Sequence, residues 1–221
     1  EYFPGFLQKR LATIPNPVIP PPFLGEAPEL PPRTVLAVGR IAPQKGYDVL
    51  LDAFAQVSAT HPQWRLCIAG GGGPTDSLKS QAKSLGIDDN VRFLGAVRDV
   101  GGLLRQAEIY VMSSRYEGFP NALCEAMASG LPCVSSDCPS GPAEIIEHEV
   151  NGLLVPNANA EALASALRRL MDDPGLRKRL AAKAAELTAS FSENRIMDLW
   201  EDLLRRILGR KSAQVGQDKA L

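Results

Sequence analysis

Ile109-Tyr110-Val111-Met112-Ser113-Ser114-Arg115-Tyr116-Glu117-Gly118-Phe119-Pro120-Asn121-Ala122-Leu123-Cys124-Glu125-Ala126-Met127-Ala128-Ser129-Gly130 passes from strand to loop to helix within twenty-two residues. Its first four residues are an apolar run of strand length, and its Ala-rich end, closed by Gly130, has the composition of a helix. Gly118 and Pro120 keep the intervening loop out of helix. Asn121 is then the expected N-cap, its side chain accepting from an otherwise unpaired N–H of the first turn. The remaining N–H groups and the positive end of the helix dipole suit an anion such as a phosphate.

Two carboxylates, Glu117 and Glu125, flank that corner. A carboxylate beside a phosphate repels it unless it is aimed at something else, and hydroxyls are the natural target. A carboxylate can accept two bonds from a vicinal diol, each worth ~1.5–3 kcal/mol net, so the pair suits phosphates set between hydroxyl-rich rings, as in a nucleotide sugar. Either Glu alone reads as an ordinary surface residue.

Outward from this stretch, strand and helix alternate. Thr34–Gly39, Trp64–Gly70, Val91–Gly95, Ile109–Met112, Pro132–Ser136 and Gly152–Val155 read as buried strands. Tyr47–Ala59, Thr75–Leu85, Val100–Gln106, the stretch ending at Gly130, Ala160–Met171, Pro174–Ala189 and Glu193–Leu208 read as helices. The expected fold class is α/β: a Rossmann-like parallel sheet with helices on both faces and a helical C-terminal end, binding ligands beyond the strand carboxyl ends. Residues 33–208 form that domain. Residues 1–32 carry prolines at a density that bars helix and central strand, and are expected to be an extended linker or the remnant of a preceding domain. Residues 209–221 are expected to be a disordered tail. In Glu193–Leu208 the stripe Ile196, Leu199, Trp200, Leu203, Leu204 and Ile207 either covers this core or reaches another domain.

The chain has 221 residues, 45% of them hydrophobic, and a formal net charge of −1, enough for a full core and nothing basic enough for nucleic acid. No apolar run reaches the ~20 residues of a membrane-spanning helix, and Glu1-Tyr2-Phe3-Pro4 lacks the build of a signal peptide, so a cytoplasmic protein is expected. Cys67, Cys124, Cys133 and Cys138 lack paired C-x-x-C spacing and read as small buried thiols. His61 and His148 read as surface residues without an acid or hydroxyl partner, so no hydrolytic triad is expected. No Asp-x-Asp pair occurs, and neither metal nor cofactor is expected.

Other strand-end loops carry candidate chemistry. Gly39-Arg40-Ile41-Ala42-Pro43-Gln44-Lys45-Gly46 delivers a forked and a point cation to the sheet's carboxyl edge, suited to a pyrophosphate, although either reads alone as a surface cation. It is no P-loop, because Lys45 precedes its glycine and no Ser or Thr follows. Gly70–Gly73 either lets backbone approach a ligand or is a flexible turn. Glu144, in Ser140-Gly141-Pro142-Ala143-Glu144, either faces the cleft or caps its helix.

Gly39-Arg40 with Lys45-Gly46, Glu117-x7-Glu125 with Gly118-Phe119-Pro120-Asn121 inside it, Gly141-Pro142-x-Glu144, and Asn151-Gly152-Leu153-Leu154-Val155 together resemble the C-terminal half of retaining GT-B glycosyltransferases of family 4. The likeness is strongest to those building bacterial surface polysaccharides, lipopolysaccharide and lipid-linked oligosaccharides, and it covers residues 33–208. It implies that Gly39, Arg40 and Lys45 bind the diphosphate of a UDP-sugar. Glu117 would hold the transferred sugar as the catalytic residue and Glu125 the ribose diol. The Gly118, Phe119, Pro120, Asn121 and Ala122 backbone would hold sugar and phosphates, and backbone near Phe93, Leu94 and Ala96 the base. It further implies metal independence, and a glycan or lipid-linked acceptor reaching the cleft through an N-terminal domain missing here, with peripheral contact of the full-length protein at the inner membrane. The other class of reading is a nucleotide-sugar-binding module without transfer activity.

Overall fold

Apolar runs of four or five residues, too short for helices, become six strands: β1 (Thr34–Val38), β2 (Arg65–Ala69), β3 (Val91–Gly95), β4 (Ile109–Met112), β5 (Cys133–Asp137) and β6 (Leu153–Pro156). The computed structural model describes residue 4 and residues 11–73 and 75–217, with side chains for all of these except 187–189 and 209–217. Readings placed on residues 1–3, 5–10, 74 and 218–221 lie outside it. The strands are joined or followed by α1 (Tyr47–Ser58), α2 (Thr75–Ser84), α3 (Val100–Gln106), α4 (Asn121–Ala128), α5 (Pro142–Ile145), α6 (Ala160–Asp172), α7 (Pro174–Thr188) and α8 (Glu193–Gln217). By its contacts the chain divides into Val18–Ala189 and a second unit of Glu1–Pro17 with Ser190–Leu221.

Within Val18–Ala189 every strand pairing is parallel, in the order β3-β2-β1-β4-β5-β6. This is the doubly wound arrangement, in which the order reverses between β1 and β4 and the loops leaving those two strands part to form a crevice. Alternate strand residues bury on opposite faces. Val35, Ala37, Leu66, Ile68, Ile109, Val111, Val134 and Leu153 join Leu50, Phe54 and Val57 of α1 and Leu163, Leu167 and Leu170 of α6 in one core. Leu36, Cys67, Tyr110 and Cys133 are buried by the alternation on the other face, the side of α3 and α4. The register of β2 against β3 jumps from Ile68↔Phe93 to Ala69↔Gly95, which leaves Leu94 as a bulge at the ligand end of the edge strand.

Residues 18–33 have no regular secondary structure, as their prolines require, yet they are held along α3. The Asp99 carboxylate caps α3 by accepting from Gly102 N at 2.7 Å and also accepts from Glu26 N and Ala27 N at 2.9 and 3.1 Å. Gln106 exchanges bonds with Leu30 N and Pro28 O, and Arg105 lies 5.0 Å from the Phe23 ring centroid. Half of the expected linker is therefore part of the domain. Burial would raise the Asp99 pKa, but the backbone N–H bonds from Glu26, Gly102, Leu24 and Ala27 outweigh it and hold the carboxyl below its ordinary value.

Two further expectations change. His61 is buried, not a surface residue: its Nε2 lies 2.8 Å from Asp172 Oδ1 and its Nδ1 2.8 Å from Thr60 Oγ1, joining the ends of α1 and α6. The Thr60 hydroxyl donates to Val57 O, so this trio ties backbone rather than poising a nucleophile. In the other unit, α8 continues to Gln217 instead of stopping near Leu208, because the sequence past Gly209 offers good helix formers and no proline. Ile196 of its stripe is buried, whereas Leu199, Trp200, Leu204 and Ile207 are exposed. All four cysteines are free and buried.

Candidate functional site

The loops after β1 and β4 are stitched to each other at the switch point. Arg115 makes a two-pronged pair with Asp48 at 2.8 and 2.6 Å and donates to Pro43 O, so that its hydrogen bonds hold the Asp48 carboxyl below its usual range. Gln44 donates to Tyr116 O, Ser113 Oγ to Lys45 O, and Arg115 N to Gln44 O. The approach is close enough to demand a glycine. At Gly46, left-handed at φ 62° where the Pro43–Lys45 turn ends, a Cβ would run into the Ser113 carbonyl.

This stitching brings Lys45 and Glu117 together. Lys45 Nζ lies 2.6 Å from Glu117 Oε1, with side-chain exposures of 21% and 7%. The same oxygen accepts from the buried Ser114 hydroxyl at 2.6 Å. Ser114 is anchored in turn, its carbonyl accepting from Ser136 Oγ at 2.6 Å. Oε2 of Glu117 has no donor among the described residues. The sequence pointed to Lys45 and Glu117 separately but not to their pairing, and Ser114 escaped notice; only its place three residues before Glu117 could have marked it.

Beyond Glu117 the loop turns into α4. Asn121 N donates to Phe119 O and Cys124 N to Pro120 O, so the first helical hydrogen bond ends on Pro120. Pro120 is the N-cap and Asn121 is the first helical residue. The Asn121 capping expectation is thus corrected: residue type favoured Asn, while the Gly118-Phe119-Pro120 turn set the register. Gly118 and Asn121 are exposed, Phe119 and Ala122 half-buried, and Pro120 buried.

Glu125 lies one turn into α4, half-buried, and its carboxylate has no partner among the described residues. Burial alone raises its pKa. The fully buried Tyr110 hydroxyl is pushed up by burial first and then by Tyr47, Cys133, Glu125 and Glu117. Tyr47, whose hydroxyl donates to Gly39 O at 2.9 Å, is likewise pushed up by burial and by Glu117.

On the other side of the crevice Arg40 is exposed, its guanidinium without a partner among the described residues. It lines a cleft of about 310 Å³ with Gly39, Gly70, Gly71, Ala96, Val97 and Val100. The glycines let the strand ends close up: Gly70 N donates to Gly95 O, Gly39 N to Ala69 O, and Ile41 N to Gly71 O. Of the residues expected along β3, Ala96 reaches this cleft. The Phe93 side chain packs against the core and lines a separate cleft with Lys79, Ala82 and Lys83 of α2, and Leu94 is the bulge. Glu144 is exposed in the first turn of α5. No group of three or more His, Cys, Asp or Glu residues among those described is placed to hold a metal ion.

Known proteins align with this arrangement. A lipopolysaccharide core biosynthesis glycosyltransferase, LpsD of Rhizobium meliloti, is 34% identical over 178 residues, 80% of this chain and 50% of its own length. An exopolysaccharide phosphotransferase of Streptomyces coelicolor is 37% identical over 208 residues, 94% of this chain and 22% of its own. The chain thus spans half or less of either relative. Among solved structures, Staphylococcus aureus TarM, crystallised with UDP, superposes with a TM-score of 0.79 at 26% identity over 87% of this chain and 39% of that one. Anabaena HepE in complex with UDP superposes at 0.74 and 26% identity over 79% and 49%. Residues 26–187 match the family described as Glycosyl transferases group 1. With six parallel strands wound in one half of a GT-B fold and that match spanning most of its length, the chain belongs to the group 1 glycosyl transferases.

Proposed function

We propose that this chain is the donor-binding domain of a retaining glycosyltransferase that takes a UDP-sugar and passes a hexose or N-acetylhexosamine to a glycan or lipid-linked acceptor. The observation that carries the reading is the unequal state of the two carboxylates at the switch point. Glu117 is pinned through one oxygen, whereas Glu125 is partly desolvated and has no partner among the described residues. A carboxylate held this way beside cations fits hydroxyl ligands: Glu125 takes both ribose hydroxyls, and Glu117 takes a hydroxyl of the transferred sugar and orients its anomeric carbon as the catalytic residue. Arg40 and the N-terminus of α4 neutralise the diphosphate. Lys45 joins them, because an ammonium carries three donors and Glu117 engages one. The leaving group is stabilised by these fixed charges without a metal. UDP-bound TarM and HepE, and the surface-polysaccharide relatives, support the choice of UDP and of acceptor class.

The acceptor reaches the cleft through a second domain, in a protein acting at the cytoplasmic face of the membrane; among the described residues no helix is long and apolar enough to cross one. Titration calorimetry of the 221-residue chain with UDP, uridine, UDP-glucose and UDP-N-acetylglucosamine tests donor binding, and absence of binding to all four overturns it. Release of UDP is then followed with a crude lipid acceptor, for the chain and for the full-length protein. Turnover by the full-length protein alone is expected. Donor binding without acceptor-dependent turnover in either preparation returns the chain to a binding module.

A further inference from the structure

We propose that Ser114 is a positioning residue for donor recognition: together with Lys45 it ties down Oε1 of Glu117, so that Oε2 alone is presented to the sugar. This rests on the reading of Glu117 as the sugar-binding carboxylate. A Glu side chain at a loop end has three rotatable bonds, and holding one rotamer costs entropy that a ligand would otherwise supply on binding. Here the cost is met inside the free protein. Ser114 is fully buried two residues past the end of β4, its backbone fixed by the Ser136 hydroxyl on β5, and its own hydroxyl donates to Oε1 at 2.6 Å. Lys45 meets the same oxygen at 2.6 Å from the loop after β1.

Two donors from two strand ends converge on one oxygen, which fixes the carboxylate plane more tightly than either could. The second oxygen takes no hydrogen bond from the described residues. Glu117 therefore contacts one sugar hydroxyl through a single oxygen, in contrast to Glu125, whose two untied oxygens fit a diol. A serine suits the task because its hydroxyl is short, carries no charge to compete with Lys45, and can be wholly buried once its proton is donated.

The test compares UDP and UDP-glucose affinities, with UDP-N-acetylglucosamine in parallel, for the wild-type chain, Ser114→Ala, Glu117→Gln and the double variant. Ser114→Ala is expected to leave UDP within about twofold and to lower the UDP-sugar affinity relative to UDP by roughly three- to tenfold, the size of one net hydrogen bond. In the double variant the change is expected to fall short of the sum of the two single changes, since Ser114 acts through residue 117 and the amide oxygen of Gln is a weaker acceptor for its hydroxyl. A merely structural serine would weaken both ligands alike or add its effect to that of Glu117→Gln, and either result overturns the proposal while leaving the Glu117 assignment standing. If Glu117→Gln leaves the ratio unchanged, the sugar-binding assignment fails first and the proposal with it. Should Ser114→Ala not melt cooperatively, Ser114→Cys, similar in shape and a weak donor, takes its place with the same expected ratio. Failure of both to fold beside a folded Glu117→Gln assigns Ser114 to the scaffold and overturns the proposal.

Discussion

Replacing Glu125 with Gln is expected to act with opposite signs on the free protein and on nucleotide binding. Glu125 is half-buried on α4, has no donor among the described residues, and has its pKa raised by burial alone. A carboxyl whose pKa is higher folded than unfolded binds more protons in the folded state, so it costs stability as pH rises from the unfolded value of about 4.3 through the folded value, and that cost persists above it. Gln keeps the shape and removes the charge. The variant should therefore melt higher than wild type at pH 7, with the difference disappearing below about pH 4, where Glu125 is neutral in both states. Binding runs the other way. In the proposed complex the carboxylate accepts two ribose hydroxyls, whereas the amide has one weaker acceptor and a nitrogen that meets the second hydroxyl as a donor. Losing the charge that assists those bonds is expected to cost about 1–3 kcal/mol, or roughly a 5- to 150-fold weaker UDP Kd. Calorimetry with UDP and with uridine, and thermal melts at pH 4 and pH 7, supply the numbers. Unchanged UDP affinity combined with a lower melting temperature at pH 7 would refute the reasoning, since it would give Glu125 a stabilising partner in the fold and no ligand.

Arg40→Ala is expected to weaken UDP far more than uridine with no loss of thermal stability, because the guanidinium is exposed and has no described partner; calorimetry with the two ligands checks it. Lys45→Ala should do the same to UDP and also destabilise the fold, by about 2 kcal/mol, less than for a fully buried pair because Lys45 keeps 21% exposure while Glu117 is left 7% exposed beside Ser114 alone. Adding Glu117→Gln to Lys45→Ala should recover part of that stability in urea titrations. Gly70→Ala should be among the most damaging single changes in the domain, as a Cβ there would collide with the Gly39 carbonyl and part the ends of β1 and β2, and its circular dichroism melt should shift sharply downward. Asp99→Asn should reduce stability at pH 7. Since the Asp99 pKa is depressed, its contribution is present above about pH 4 and lost as pH falls through the folded value, so the variant and wild type should converge on acidification.

The strand positions were legible because a parallel sheet covered on both faces leaves short, nearly unbroken apolar runs between glycine and proline breaks. Val91–Gly95 and Ile109–Met112 match their expected bounds, and the others shift by a residue or so. Their parallel pairing follows from the alternation with helices, whereas their order in the sheet does not, since doubly wound folds occur with more than one order. What composition could not carry is docking. Proline density correctly barred regular structure from residues 18–33, but propensity says nothing about where an extended segment lies, and its attachment depends on Asp99, more than seventy residues away. His61 makes the same point across 111 residues: the residue type announced neither its burial nor Asp172 as its partner.

At the candidate site the charged residues were legible one by one, and illegible where they answer to each other. Arg40, Lys45, Glu117 and Glu125 stand out in sequence because charges at strand ends are costly unless something opposes them. Which charge opposes which depends on how closely the loops after β1 and β4 approach, and that is set by Gly46, by the Arg115–Asp48 pair and by the bonds of Gln44 and Ser113. The same approach gives Arg115 a partner within the fold, Asp48, although it lies in the motif stretch beside Glu117. Removing it would leave Asp48 without its partner and loosen the seam that presents Lys45 to Glu117. Arg115→Ala is thus expected to lower thermal stability and, because it disturbs Lys45 and Glu117 together, to weaken UDP and UDP-sugar binding in similar proportion. Loss confined to the sugar would instead make Arg115 a direct ligand contact.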